Sequence, residues 1–161
     1  SYARPNRRFL QQGIIMPTLS GQKLGELLVA VDCSGSISQD DLDVFAGNLE
    51  TIAEMYECKL CIVYHDIPVT RVEHWEPSDG PLKLRPHGGG GTSHVDVMDW
   101  LNRYSRDSAH DPQCIVAFTD LYTQFPEKQP DLPVLWGVYG TESPYYKRPK
   151  APWGTVCEIR N

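Results

Sequence analysis

The sequence predicts an α/β fold: an open, mostly parallel, doubly wound sheet with one antiparallel edge strand. Short and continuously apolar runs recur along the chain, as is typical of strands that are buried on both faces. Segments with helical periodicity alternate with these runs, which favours helices on both faces of the sheet. The first run ends in Asp32, so a carboxylate is expected at the carboxyl edge of the sheet, where such folds bind ligands.

Residues 1–25 are polar and irregular, and we expect an N-terminal arm or linker there, followed by one domain over 26–161. A short apolar patch at 14–16 is expected to form an edge strand. The length of 161 residues is enough for one domain with a real core. Because the chain starts at Ser1 without a methionine, we expect it to be a piece of a longer protein.

The first core strand is predicted over 27–32, and an amphipathic helix follows it. Ser38 and Asp41 match a capping box at the start of this helix. Acidic residues in the first turn are also favoured by the helix dipole. Seven apolar residues then recur at helical spacing and predict a buried face. They are Leu42, Phe45, Ala46, Leu49, Ile52, Ala53 and Tyr56.

Two further strands are predicted over 60–64 and 69–75. The residues between them allow only a tight turn, so this pair should be antiparallel. Residues 76–91 are rich in proline and glycine and predict a long loop. Ser93 and Asp96 match a second capping box, and a second helix should follow it. The apolar side of that helix comprises Val97, Met98, Leu101 and Tyr104.

The last three strands are predicted over 114–119, 134–139 and 155–159. The first two are separated by about a dozen residues with three prolines, too few for a full crossover helix. Asp120 follows the strand 114–119, just as Asp32 follows the first strand. If these two strands are neighbours, both carboxylates face one crevice at the carboxyl end of the sheet.

Oxygen-bearing side chains from three stretches could then hold one divalent cation. Asp32, Ser34 and Ser36 alternate along the chain, so a curled loop can turn all of them toward one point. Thr92 follows four glycines that permit a close backbone approach, and Asp120 adds a second negative charge. Such hard oxygen ligands suit Mg²⁺, or else Mn²⁺ or Ca²⁺. At least one coordination position stays open for water or for a carboxylate from a protein partner.

The set Asp32-x-Ser34-x-Ser36, Thr92 and Asp120 resembles the metal-ion-dependent adhesion site (MIDAS) of von Willebrand factor type A (VWA) domains, which have a Rossmann-like fold. The similarity covers residues 27–159. More narrowly, the chain resembles the C-terminal VWA-like domain of predicted bacterial metallopeptidases of the DUF2201 type. The segments that carry this narrower resemblance are 4–9, 32–38, 88–92, 118–120 and 133–136.

The resemblance implies a metal-binding module for protein–protein interaction within a larger predicted metallopeptidase. Genes of this family often lie beside those of MoxR-type AAA+ ATPases, which implies such an ATPase as a partner. The peptidase motif His-Glu-x-x-His is absent from this sequence, so we expect no catalytic residues in this domain. Leu121 and Tyr122 follow Asp120 directly and are expected to flank the ion and contact the partner. The proline-broken link after Asp120 departs from typical type A domains, which have a helix there.

Charge and cysteine content limit the other classes of function. The formal charge of -6 argues against nucleic-acid binding, and no apolar run is long enough to cross a membrane. The five cysteines are scattered, and Cys58 and Cys61 would lie on opposite faces of one strand. A disulfide framework or a zinc knuckle is therefore not expected. Buried, reduced cysteines favour a cytoplasmic location.

Three alternatives remain beside the interaction module. The glycine run lacks the lysine of a phosphate-binding loop, so a nucleotide site is disfavoured. A metal-dependent hydrolase could use the same ion to activate water, or use Ser34 or Ser36 as a nucleophile with His94 as base. In the third alternative the oxygen cluster is a vestigial, hydrogen-bonded turn in a structural domain that binds no metal.

Overall fold

A six-stranded sheet forms the centre of the computed structural model, which describes residues 25–34 and 37–159. The order across the sheet is β3-β2-β1-β4-β5-β6, and every neighbouring pair is parallel except the antiparallel β2 and β3. The predicted fold class is thus confirmed. The strands are β1 (Glu26–Asp32), β2 (Lys59–His65), β3 (Val69–Trp75), β4 (Pro112–Thr119), β5 (Val134–Val138) and β6 (Thr155–Glu158).

Within residues 25–34 and 37–159, two α-helices cover the sheet, one on each face: α1 (Gln39–Tyr56) and α2 (Val95–Arg106). A short 3₁₀ turn (Pro77–Asp79) lies in the long loop after β3. The capping box of α1 is confirmed, since Ser38 Oγ accepts from the Asp41 amide and the Asp41 carboxylate accepts from the Ser38 amide. All seven apolar residues predicted for its inner face are buried. Among the described residues, no helix has both the length and the apolar character needed to cross a bilayer.

The predicted capping box at Ser93 is wrong. Helix α2 begins at Val95, and its N-cap is His94, whose side chain makes no capping bond. Ser93 donates its amide to the carbonyl of Asp66, and His94 donates its own to the carbonyl of Gln124. These two bonds, at 3.1 and 2.9 Å, tie both residues to neighbouring loops and delay the start of the helix.

The second face of the sheet is covered in part by chain without regular structure. Residues 120–133 link the parallel strands β4 and β5 and contain no helix, as their length and prolines predict. The link from β5 to β6 also lacks a helix. Both links place apolar side chains against the core beside α2. These side chains are Leu121, Phe125, Leu132, Ala151 and Trp153.

The strand order reverses between β1 and β4, which are direct neighbours. From β1 the chain builds outward to β2 and β3, and from β4 it builds in the other direction to β5 and β6. Ligands of open α/β sheets bind at such a reversal, beyond the carboxyl ends of the strands. Asp32 ends β1 and Asp120 follows β4, so the topology brings both to this reversal. The predicted N-terminal arm, up to residue 24 with its edge strand at 14–16, lies outside the described residues.

Candidate functional site

The carboxylate of Asp32 is the centre of the site and is fully buried. Its Oδ1 accepts hydrogen bonds from the Ser34 amide at 3.0 Å and from Thr92 Oγ1 at 2.8 Å. Its Oδ2 accepts from Thr119 Oγ1 at 2.9 Å. Three stretches that are far apart in the sequence therefore converge on this one side chain. Ser36, which the sequence also places in the site, lies outside the described residues.

The glycine run positions Thr92 by packing against the turn between β2 and β3. Gly88 has a φ of +148°, and a Cβ at this position would lie 2.9 Å from Asp66 Oδ2. Glycine is required here both for the backbone conformation and for the close approach. The amide of Ser93 then bonds the carbonyl of Asp66, which fixes the far side of Thr92. Asp66, an acidic residue that the sequence did not assign to the site, thus lies close to the start of the glycine run and bonds the residue after Thr92.

Asp120 follows β4 on the strand next to Asp32 and is half-buried. The register pairs Val31 with Phe118, which brings the ends of β1 and β4 level. The Asp120 carboxylate accepts a hydrogen bond from the Tyr122 amide at 3.0 Å. This turn fixes the side chain just beyond the end of the strand, on the same edge of the sheet as Asp32.

The structure treats the two predicted partner contacts differently. Leu121 has a φ of +71°, is only 3% exposed and packs in the core on the α2 face. Its side chain therefore faces the interior rather than a partner. Tyr122 is half-buried, and its hydroxyl accepts from the Ser143 amide and donates to the Tyr146 carbonyl, both at 2.9 Å. Arg148 lies over the same ring, with its guanidinium carbon 5.7 Å from the centroid.

Thr119 is a site residue that sequence reasoning missed. It is fully buried at the end of β4, and besides donating to Asp32 it accepts from the Leu121 amide at 3.1 Å. It therefore orients the Asp32 carboxylate and also shapes the turn that carries Asp120. Its position directly before Asp120 could have indicated a role in the site. However, threonine is common in strands of ordinary sheets, so this position alone does not distinguish a site residue.

Two buried histidines lie beside the carboxylate. His65 pairs with Asp32 across β1 and β2, and its ring centroid is 4.9 Å from that of His94. Burial lowers the pKa of His65, although the nearby Asp32 charge opposes the shift. Burial and the neighbouring His65 lower the pKa of His94 to well below its ordinary value. Both rings are therefore neutral near pH 7 and cannot balance the charge of Asp32.

The local charge favours a cation. Within the described ranges, no ion pair joins Asp32 to a lysine, arginine or histidine. Burial raises the pKa of the Cys33 thiol, and the charges of Asp32 and Asp66 raise it further. A buried carboxylate without a counter-charge is costly, and a divalent cation would supply that charge. Carboxylate and hydroxyl oxygens are also the ligand types that Mg²⁺ and Ca²⁺ prefer.

The nucleophile arrangement of a serine hydrolase is not formed in the described part of the site. Neither ring nitrogen of His94 has a hydrogen-bond partner, so no serine hydroxyl is bonded to it there. The ring instead stacks on Phe125 and meets Trp136 edge-on. These contacts are those of a histidine packed into the core beside the site.

Comparison with known proteins agrees with this geometry. A family model described as a VWA-like domain (DUF2201) matches residues 27–160. An uncharacterized protein of Thermotoga maritima is 32% identical over 124 residues, which is 76% of this chain and 28% of that protein. The chain therefore spans less than a third of the length of this relative. The strand order reverses between β1 and β4, and the candidate site lies at that reversal. Because the family model also matches residues 27–160, the chain belongs to the family of VWA-like domains.

Proposed function

We propose that this domain is a cation-dependent module for protein–protein interaction. The ion is Mg²⁺, with Mn²⁺ or Ca²⁺ suited to the same oxygens. The residues that would hold it are Asp32, Ser34, Ser36, Thr92 and Asp120. Membership of the VWA-like family supports the interaction role in general terms. The ion, its ligands and the partner are our proposal.

The observation that carries the proposal is the environment of Asp32. The side chain is fully buried, its three hydrogen-bond donors are all neutral, and burial lowers the pKa of both adjacent histidines, which disfavours their charged forms. Neutral donors stabilise a carboxylate but do not cancel its charge. A bound cation would stabilise this buried negative charge. In a vestigial turn without metal, the charge would stay uncompensated, which favours the cation site over that alternative.

Each residue has a separate task in this proposal. The ion supplies an open coordination position that accepts a carboxylate oxygen of the partner. Asp32 and Asp120 supply negative charge from two neighbouring strands, and Thr92 supplies a hydroxyl from the glycine loop. Thr119 holds Asp32 in its orientation through Oδ2. The Asp66 contacts keep the glycine loop against the edge of the sheet.

The surface offered to the partner extends from Tyr122 onto the loop 141–149. Tyr122 anchors this loop, and two large side chains on it project outward: Tyr145 is 87% exposed and Tyr146 is 73% exposed. Exposed tyrosines are typical of residues that dominate binding energy in interfaces. Lys147 and Lys150 add positive charge to a chain whose net charge is -6. Both features suit a partner that presents acidic side chains.

We further propose that the domain is the C-terminal part of a predicted cytoplasmic metallopeptidase and binds a MoxR-type AAA+ ATPase. The Thermotoga relative, of which this chain covers 28%, supports a longer parent protein. The domain itself is proposed to contribute binding and no catalytic residues.

Isothermal titration calorimetry with Mg²⁺ and Mn²⁺ tests the ion directly. The wild type should release or absorb heat with saturation, and Asp32→Ala should not. Asp99→Ala is the matched control, because Asp99 is an exposed aspartate on α2 that pairs with Arg103. Equal heats for the wild type and Asp32→Ala would remove the metal claim.

Surface plasmon resonance with a purified MoxR-type ATPase tests the partner. Binding should require Mg²⁺, disappear in chelator, and be lost in Asp32→Ala but kept in Asp99→Ala. Phosphoester and peptide substrates with and without Mn²⁺ form the second arm. Metal-dependent turnover by the wild type that Asp32→Ala abolishes would favour the hydrolase instead.

A further inference from the structure

A second group of metal-ligating side chains lies at the opposite end of the sheet from Asp32. It consists of Glu26 at the start of β1, Cys61 in β2 and His74 in β3. One ligand atom from each residue lies within 4.8 Å of the other two. The cluster belongs to the amino end of β1 and shares no residue with the proposed cation site.

The sheet register places these three side chains on one face. Cys61 is paired with His74 across the antiparallel strands, so their side chains are direct neighbours. Cys61 is also paired with Leu28 of β1, and Glu26 precedes Leu28 by two residues and so points to the same face. Cys61 and Leu28 both belong to the core beneath α2, which identifies that face.

Tyr104 of α2 orients the carboxylate of this cluster. Its hydroxyl donates to Glu26 Oε2 at 2.9 Å, which leaves Oε1 for another partner. The Tyr104 ring is itself fixed by stacking on Trp100 and on His110, with centroids 5.3 and 3.8 Å apart. Metal-binding carboxylates commonly have such an outer hydrogen bond, which sets the direction of the free oxygen.

The geometry points to a zinc site, and we propose that Glu26, Cys61 and His74 bind Zn²⁺ with a fourth position left for water. Thiolate, imidazole and carboxylate are the protein ligands of zinc, and a soft thiolate disfavours Mg²⁺ and Ca²⁺. Ligand atoms around tetrahedral zinc are about 3.5 Å apart, so the cluster needs to close by only about 1 Å. The bound ion would join the edge strand β3 to β2 and β1.

Access and charge agree with this assignment. His74 is exposed, so an ion can reach the cluster from solvent, while Cys61 is buried and protected. Within the described residues, Glu26 forms no ion pair, so a bound cation would supply a counter-charge for its carboxylate. Burial, with the Glu26 charge, raises the pKa of the Cys61 thiol to about 12. Zinc binding should therefore release a proton from Cys61.

Cobalt substitution tests the proposal, because Co²⁺ bound by a thiolate has a charge-transfer absorption that oxygen ligands do not give. The chain with its metals removed should develop this band with one equivalent of Co²⁺, and Zn²⁺ should abolish it. Cys61→Ser should lose the band. His74→Ala, which changes an exposed residue, should weaken cobalt binding by at least about 100-fold, and Tyr104→Phe by about 10-fold or more.

Two control variants show whether the band comes from Cys61 and not from another thiol or from the proposed Mg²⁺ site. Cys114→Ser changes another buried cysteine, on β4, and should keep the band. Asp32→Ala should also keep it, so loss of the proposed Mg²⁺ site does not affect this result. Absence of the band in the folded wild type at millimolar Co²⁺ would overturn the proposal. So would a band that persists in Cys61→Ser or is unchanged in His74→Ala.

Discussion

Replacing Thr119 by valine isolates the contribution of one hydroxyl to the architecture of the site. The two side chains have nearly the same shape, and position 119 is fully buried at the end of β4. The change removes the donor to Asp32 Oδ2 at 2.9 Å and the acceptor of the Leu121 amide at 3.1 Å. We expect Thr119→Val to lower the free energy of unfolding.

The magnitude follows from those two bonds. A hydrogen bond to a charged group contributes about 1.5–3 kcal/mol, and an unpaired buried amide costs about 1–3 kcal/mol. The added methyl group returns about 0.8 kcal/mol through its burial. The net destabilisation is therefore about 2–5 kcal/mol. Thr119→Ser keeps both bonds and loses one buried methyl, so it should cost only about 1 kcal/mol.

Urea denaturation of the three proteins, followed by circular dichroism in the presence of chelator, measures this difference without any contribution from bound metal. The midpoint should fall much further for Thr119→Val than for Thr119→Ser. If the valine variant is as stable as the serine variant, then the hydroxyl does not support Asp32 and the Leu121 turn, and the proposed role of Thr119 fails.

Three further measurements follow from the structure. Gly88→Ala should lower the free energy of unfolding by about 1–3 kcal/mol, because Gly88 has a positive φ and Asp66 lies close to it. Gly47 lies in the middle of α1 with free space around it, so Gly47→Ala should raise the free energy of unfolding by about 0.5–1 kcal/mol. Burial lowers the pKa of His94, so only the unfolded chain takes up its proton as pH falls below about 6.5. The free energy of unfolding, measured by denaturation from pH 7 to pH 5, should therefore fall by up to about 1.4 kcal/mol per pH unit for this residue, and less steeply in His94→Gln. All five cysteines are buried, and burial raises the thiol pKa values of four of them to about 11 or 12. A thiol reagent should label them slowly in the folded chain and label all five in denaturant; fast labelling without denaturant would contradict this burial.

The sheet could be predicted closely because its signals are local. Runs of apolar residues predicted the four inner strands β2, β1, β4 and β5, and the bounds predicted for all six strands agree with the structure to within two residues at either end. The short turn before Val69 was enough to predict the antiparallel pair, and the prolines after Asp120 were enough to exclude a helix there. The start of α2 could not be predicted from its capping motif. The backbone bonds that displace it come from Asp66 and Gln124, which are distant in the sequence.

The site was predictable only in part, because the contacts among its polar residues depend on which strands and turns are neighbours in the fold. Asp32 and Thr92 were predicted from their motifs, and the structure places them in direct contact. Thr119 and Asp66 were missed since their roles require β4 and the β2–β3 turn to lie beside Asp32. Leu121 was expected at the surface because it follows Asp120. Its positive φ instead turns the side chain into the core, and Tyr122 is the one that supports the outer loop.

The two proposed metal sites lie at opposite ends of β1, and their chemistry keeps them independent. Glu26 and Asp32 are the first and last residues of the strand, so about 20 Å of buried sheet separates them. In our proposal, oxygen ligands at one end would favour Mg²⁺, while the thiolate and imidazole at the other would favour zinc. A general chelator would remove both ions, so loss of partner binding in chelator does not by itself identify the ion responsible. Binding that is lost in Asp32→Ala but kept in Cys61→Ser assigns the partner to the carboxyl end of the sheet, and the reverse pattern assigns it to the amino end.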